Sequence, residues 1–304
     1  MDFVPTEPSE RHAPTKVAPG TYLIHEVQHA VGQPLSVYLN SLVIQATQPV
    51  IVDTGTIRNR KAWLQDVFGL VDPDDVRWVF LSHDDADHTG NLAEVMAACP
   101  NAELVCSWAI TERFANAFAF PLERCRWLND GDAFQAGDRP LMALRPPTYD
   151  SPATRGLLDQ RTGVYWASDA FATPVPGGED APHLARDVGE LDPEFWWNGM
   201  VMFGFHALSP WLSLVDRNRF ARTVDRLQSY QPHTIVSAHS PAITGAGVDD
   251  VLALTRRLPD AEPPSAPDQV VLNHIVAGRG YLGDGRGANA ASPACVPLPA
   301  RSRS

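Results

Sequence analysis

The segment Leu81-Ser82-His83-Asp84-Asp85-Ala86-Asp87-His88-Thr89-Gly90-Asn91 constrains this chain more than any other stretch. Two imidazoles and three carboxylates fall within six residues, directly after the apolar run Trp78 to Leu81. So many acids in one short loop repel one another unless something positive sits among them. A divalent metal ion answers that need, and His mixed with Asp is an ordinary ligand set for one. A fold that uses such a loop must present it from a rigid strand end, where reactive groups are commonly placed. A solvated acidic turn is the competing reading, but His-x-Asp-x-Asp-His followed by Thr-Gly-Asn is not a solvation pattern.

Short apolar runs alternate with helical periodicity along the flanking chain. Residues 36–52 read as two strands around a turn at Gln48-Pro49, and residues 58–68 as a helix with Trp63, Leu64, Val67 and Phe68 on one face. Residues 92–98 read as a helix with Thr89 as its N-cap. Further strands are expected at 104–106, 126–128, 141–144, 164–167 and 234–238, and further helices at 194–208, 217–230 and 248–258. Strands and helices alternating at this density imply α/β layers. Residues 1–20, with Pro5, Pro8, Pro14 and Pro19, read as an N-terminal arm, and residues 259–304 as a Pro/Gly-rich C-terminal extension.

Charge narrows the partners. The formal net charge is −12, and a surface so acidic disfavours nucleic acid. Four cysteines without a C-x-x-C pair fit reduced thiols in a cytoplasmic protein, and no signal peptide opens the chain. Residues 195–215 carry no charge and are long enough to span a bilayer. Asn198, His206, Ser209 and Pro210 within them favour a buried helix over a membrane span.

The loop resembles the signature His-x-His-x-Asp-His of the metallo-β-lactamase superfamily. Ile51-Val52-Asp53-Thr54-Gly55 resembles that family's early strand ending in Asp-Thr-Gly. Ser168-Asp169-Ala170-Phe171 resembles the strand end whose Asp bridges two metals, and Ser237-Ala238-His239-Ser240-Pro241 the one that supplies the last His. The likeness runs over residues 21–258 and implies an αββα sandwich with metals at the edge of two packed sheets. Within the superfamily it points to the di-iron core of flavodiiron proteins, which carry a carboxylate, normally Glu, where this chain has Asp85. Tyr149-Asp150-Ser151 resembles their Pro-Asp-Ser, and the aromatic stretch Trp196 to Val201 their helix beside the site.

The resemblance implies one metal position formed by His83, Asp85 and Asp169, and a second by Asp87, His88, Asp169 and His239. The family's middle His falls on Pro147, so Asp150, or Tyr149 with a shifted backbone, is left to replace it. The implied cofactor is iron, as two ions with one weakly bound, with manganese or zinc as substitutes. The implied function is binding or activation of dioxygen as an oxidase or oxygenase, with Asp85, Asp169 and His206 at the reacting centre. No flavodoxin-like domain is expected within the 46 residues after Leu258, so electrons are expected from a partner protein or a small-molecule substrate. A homodimer is expected. A metal hydrolase acting on an ester, lactone or phosphodiester, and a non-catalytic oxygen-binding or sensing protein, stand as alternatives. Among other residues, Asp53 is expected to support the ligands, Asp84 to face solvent, and His25, His29, His183, His233 and His274 to be ordinary surface or core histidines.

Overall fold

A computed structural model describes residues 10–30, 34–114, 121–177 and 184–277. Two β-sheets face each other and helices cover both outer faces, giving the αββα sandwich. The first sheet runs β1 (Glu10–Ala18), β2 (Thr21–His29), β3 (Leu35–Ile44), β4 (Val50–Val52), β5 (Trp78–Phe80), β6 (Glu103–Cys106) and β7 (Cys125–Trp127) in spatial order. It is antiparallel up to β4 and parallel from β4 to β7. The second sheet contains β8 (Ala133–Ala136), β9 (Arg139–Leu144), β10 (Gly156–Asp159), β11 (Val164–Trp166), β13 (Thr234–Val236) and β14 (Ile243–Thr244). The short β12 (Val175–Pro176) pairs with β3 of the first sheet.

Strand periodicity builds three cores. Successive side chains point to opposite faces. Val50, Val52, Trp78 and Phe80 therefore meet Leu157, Val164 and Trp166 between the sheets. Ile51 and Val79 point the other way, onto α1 (Arg60–Leu70), through Trp63 and Val67, and α3 (Leu92–Ala98), through Leu92 and Val95. Leu158 and Tyr165 pack outward beneath α5 (Pro193–Phe203), α6 (Arg217–Ser229) and α7 (Ala246–Arg257). Burial on both faces explains why these strands read as continuous apolar runs.

Several expectations need correction. The arm predicted over residues 1–20 is, from Glu10 to Ala18, the edge strand of the first sheet, and residues 1–9 lie outside the described part. Pro14 is tolerated because it falls at a register shift between His12 and Thr15 on an edge strand, where a missing N–H breaks no central ladder. Within the predicted extension, Gln269–Val276 is a helix, α8, with none of its residues buried. The Gly-rich stretch that begins at Gly278 lies outside the described residues, as do Cys295 and His183. The predicted helix 194–208 is α-helical only to Phe203, then widens into a π-helical turn over Gly204–Leu208. Among the described residues, no helix is long and apolar enough to cross a membrane.

One buried arginine ties the sheets together. Arg139, 5% exposed, places Nη1 2.6 Å from Asp159 Oδ2, itself 1% exposed, while its Nη2 donates to the Pro19 carbonyl at the β1–β2 turn. Truncating the arginine leaves a buried carboxylate uncompensated. Arg139→Ala should therefore cost about 3–5 kcal/mol in denaturant unfolding. Arg256→Ala, which removes a surface pair with Asp225, should cost under about 1 kcal/mol. Equal effects from the two variants would contradict this reading of the pair.

Candidate metal centre

Parallel pairing puts strand C-termini on the same side. β4 and β5 are parallel neighbours in the first sheet, and β11 and β13 are parallel neighbours in the second. Four strand ends therefore meet along one rim of the sandwich. They deliver Asp53, His83, Asp169 and His239, which are far apart in sequence. The turns that follow are tight. Asp53 (φ 55°) and Ser168 (φ 54°) both adopt the left-handed conformation that non-glycine residues rarely hold. Gly55 (φ 60°) lies against the Trp63 indole, where a Cβ would come 2.7 Å from Nε1. Gly90 donates to the Gly55 carbonyl at 2.9 Å, and a Cβ there would meet that same oxygen at 2.6 Å. The two Thr-Gly pairs are thus where two loops touch backbone to backbone.

Each of the three rim histidines has its Nδ1 engaged outward and its Nε2 turned inward. His88 Nδ1 lies 2.8 Å from Asp53 Oδ2, which also accepts Trp166 Nε1 and the Ser82 hydroxyl. His239 Nδ1 donates to the Tyr38 carbonyl at 2.9 Å. His83 Nδ1 lies 3.1 Å from Ser168 Oγ. Partners of this kind fix the tautomer so that Nε2 offers its lone pair. Those three Nε2 atoms surround Asp169: His88 at 2.9 Å, His83 at 3.3 Å and His239 at 3.3 Å from its carboxylate oxygens. Asp87 lies 3.4 Å from His88 Nε2 and 3.3 Å from His239 Nε2. On the other side, Asp85 lies 3.6 Å and Asp150 3.9 Å from His83 Nε2.

These atoms form three overlapping groups with the spacing of metal ligands: His83, His88 and Asp169; Asp87, His88 and His239; His83, Asp85 and Asp150. His83 Nε2, His88 Nε2 and Asp169 Oδ1 are sealed from solvent, and no group outside this cluster of imidazoles and carboxylates satisfies them. Buried polar atoms are rarely left so, and three of them facing one point fit a cation between them. The titration behaviour agrees. Burial and the neighbouring His88 push the His83 pKa down, but Asp169 and Asp85 outweigh them and hold it at about 9. Burial likewise lowers His239, and Asp169 with Asp87 lifts it to about 10. Asp87 would be raised by burial, but His88 and His239 hold it well below the carboxylate range. Asp150 is raised, by burial first and then by repulsion from Asp169 and Asp85. A cation on that side would relieve Asp150 most.

Some residues stand elsewhere than expected. His206 does not join the rim. It is exposed on the outer side of the π-helical turn, with Nε2 2.6 Å from the Pro264 carbonyl, while Phe205 and Leu208 take the buried side. Asp84 does not face solvent. Both its oxygens accept from Arg113 Nη1, at 2.9 and 2.7 Å, and its side chain is 12% exposed. Thr89 closes the one-turn helix α2 (Ala86–Thr89), and the residue before α3 is Asn91. Asn91 uses its side chain to hold the Thr54 and Thr56 carbonyls. The aromatic stretch does flank the rim, since Phe203 lies parallel to the His239 ring at 6.3 Å between centroids. Sequence reasoning did not find Ser209 and Trp211, which pin the Tyr149 backbone and so the loop that carries Asp150. Their only sequence signal was proximity to the helix-breaking Pro210.

Comparison with known proteins bears on the fold that carries this rim. A family model described as ODP family beta lactamase matches residues 37–240. Diflavin flavoprotein A 1 of Synechocystis is 24% identical over 243 residues, covering 80% of this chain and 40% of that protein. The anaerobic nitric oxide reductase flavorubredoxin of Pectobacterium atrosepticum is 23% identical over 133 residues, covering 43% of this chain and 26% of that protein. Among solved structures, the rubredoxin oxygen:oxidoreductase of Desulfovibrio gigas superposes with a TM-score of 0.69 at 14% identity, over 83% of this chain and 62% of that one. The flavodiiron protein of Giardia intestinalis gives 0.67 at 16% identity, over 82% and 60%. The structural matches establish the fold, and this chain spans less than half the length of either curated relative.

Proposed function

The chain belongs to the ODP family of beta-lactamase-fold proteins, and from that premise we propose that it is a two-metal, non-haem iron oxidoreductase of the flavodiiron type acting on a small diatomic gas. Dioxygen is the preferred substrate, with nitric oxide the competitor suggested by one relative's name. The observation that carries the reading is the ring of three inward Nε2 atoms around the Asp169 carboxylate, sealed from solvent and with further carboxylates on both sides.

Asp87, His88, Asp169 and His239 would hold one ion, and His83, Asp85, Asp150 and Asp169 the other. Asp150 takes the place of the family's missing His, its approach to His83 set by the Ser209 and Trp211 contacts to Tyr149. Three Asp to one His makes that second position hard in character, which favours iron or manganese over zinc. Bound iron would supply redox chemistry and open coordination positions for the gas. The chain's own residues orient the imidazoles, exclude water from His83 and His88, and carry the counter-charge. Electrons would come from a partner protein or from a small molecule bound at the exposed Asp85 side.

Asp150→Ala should weaken one ion of the pair by at least about 10–100-fold, the scale on which even supporting groups matter, and leave the other in place. Metal analysis after anaerobic reconstitution, paired with oxygen and nitric oxide consumption, checks both parts. Two equally tight ions in both proteins would remove Asp150 from the ligand set. Stoichiometric zinc with esterase or lactonase turnover would replace the oxidoreductase by a hydrolase.

A further inference from the structure

Residues 237–240, which carry His239, leave the second sheet and are gripped from the first by β3. The Asn40 backbone N–H donates to the Ala238 carbonyl at 2.8 Å. The Asn40 side-chain Nδ2 donates to the Ser237 carbonyl at 2.9 Å and the Ser240 carbonyl at 3.0 Å. Two residues earlier on the same strand, the Tyr38 carbonyl accepts from His239 Nδ1 at 2.9 Å. The backbone on both sides of the ligand, and the ligand ring itself, are thus tied to one short piece of β3.

The amide orientation follows from its partners. Both carbonyls need a donor, so Asn40 turns its NH2 toward them and its Oδ1 away. Oδ1 then faces His25 Nδ1 at 2.9 Å, which must carry a proton to donate. Asn40 is 2% exposed, so no solvent is at hand to replace a lost bond. A flipped amide would set an oxygen against two carbonyl oxygens and unpin the loop.

We propose that Asn40 is a positioning residue for the metal ligand His239, and that His25 locks its amide in the working orientation. The inference rests on the two-metal reading above and concerns the position that contains His239. It also gives a role to a histidine that reads in sequence as an ordinary one.

The test is a cobalt(II) titration of the metal-free full chain, followed by absorbance, on wild type, Asn40→Asp and His25→Ala, with melting temperatures of the metal-free proteins. Asn40→Asp keeps the shape and removes the donor. His25 borders a cavity of about 540 Å³, so His25→Ala widens an existing hollow and should fold even if the Asn40 variant does not. Wild type should take up two ions. Asn40→Asp should weaken one of them by about 10–100-fold with the other unchanged, and His25→Ala should weaken the same ion by a smaller factor. Variant titrations that superimpose on wild type would overturn the inference. So would equal weakening of both ions together with a lower metal-free melting temperature, which marks a purely structural role. A wild type that binds fewer than two ions would overturn the two-metal reading and this inference with it.

Discussion

Asp169→Asn should empty both metal positions at once, which no other single substitution in the rim is expected to do. Asp169 is 4% exposed, and its two oxygens lie within 3.3 Å of the Nε2 atoms of His83, His88 and His239. Burial alone would raise its pKa, but those three imidazoles hold it well below the carboxylate range, so the anion is the resting form. Asparagine keeps the volume and removes the charge that both ions would share. Supporting groups in metal sites already matter about 10–100-fold, so loss of a bridging ligand should exceed 100-fold for each ion. Iron content should fall from two to below one per chain, and gas consumption should fall to background. Two retained ions in Asp169→Asn would remove the bridge from the proposed centre. Iron analysis separates this variant from Asp150→Ala, which should lose one ion only.

Metal uptake at pH 7 should release at least two protons per chain. In the metal-free protein the carboxylates hold His83 protonated up to about pH 9 and His239 up to about pH 10. Both protons must leave before Nε2 can ligate. Apparent affinity should therefore rise with pH, by about tenfold per pH unit for each proton displaced, and level off above pH 9–10. Stability of the metal-free protein runs the opposite way. Histidine titrates near 6.5 when unfolded, so the gain from these raised pKa values is full below about pH 6.5 and is lost as pH rises through 9 and 10. Asp87 and Asp169 are depressed, so their contribution is present above about pH 4 and lost on acidification. Calorimetric titration in buffers of different ionisation heat counts the protons. A count of zero would show that the imidazoles are neutral before metal arrives.

Much of this was legible along the chain because strand ends and turn residues leave local marks. The loop from His83 to Asn91, the Asp-Thr-Gly after Val52 and the Asp after Trp166 each stand beside a short apolar run, and all three runs are strands. The misreadings also have local causes. Pro14 suggested an arm because proline is excluded from central strands, whereas an edge strand tolerates it at a register shift. His206 drew attention by lying in an aromatic run, yet a turn of π-helix sets it on the outer surface.

The sequence by itself determined which residues bring chemistry and which face of each strand is apolar, because residue type and a period of two are properties of the chain alone. Only the tertiary structure decided where those residues meet. Parallel pairing of β4 with β5 and of β11 with β13 turned four separated strand ends into one rim. Packing of one sheet against the other set Asn40 beside the loop of His239. The anchoring of Tyr149 by Ser209 and Trp211 left Asp150 within 3.9 Å of His83, a distance that no spacing along the chain encodes.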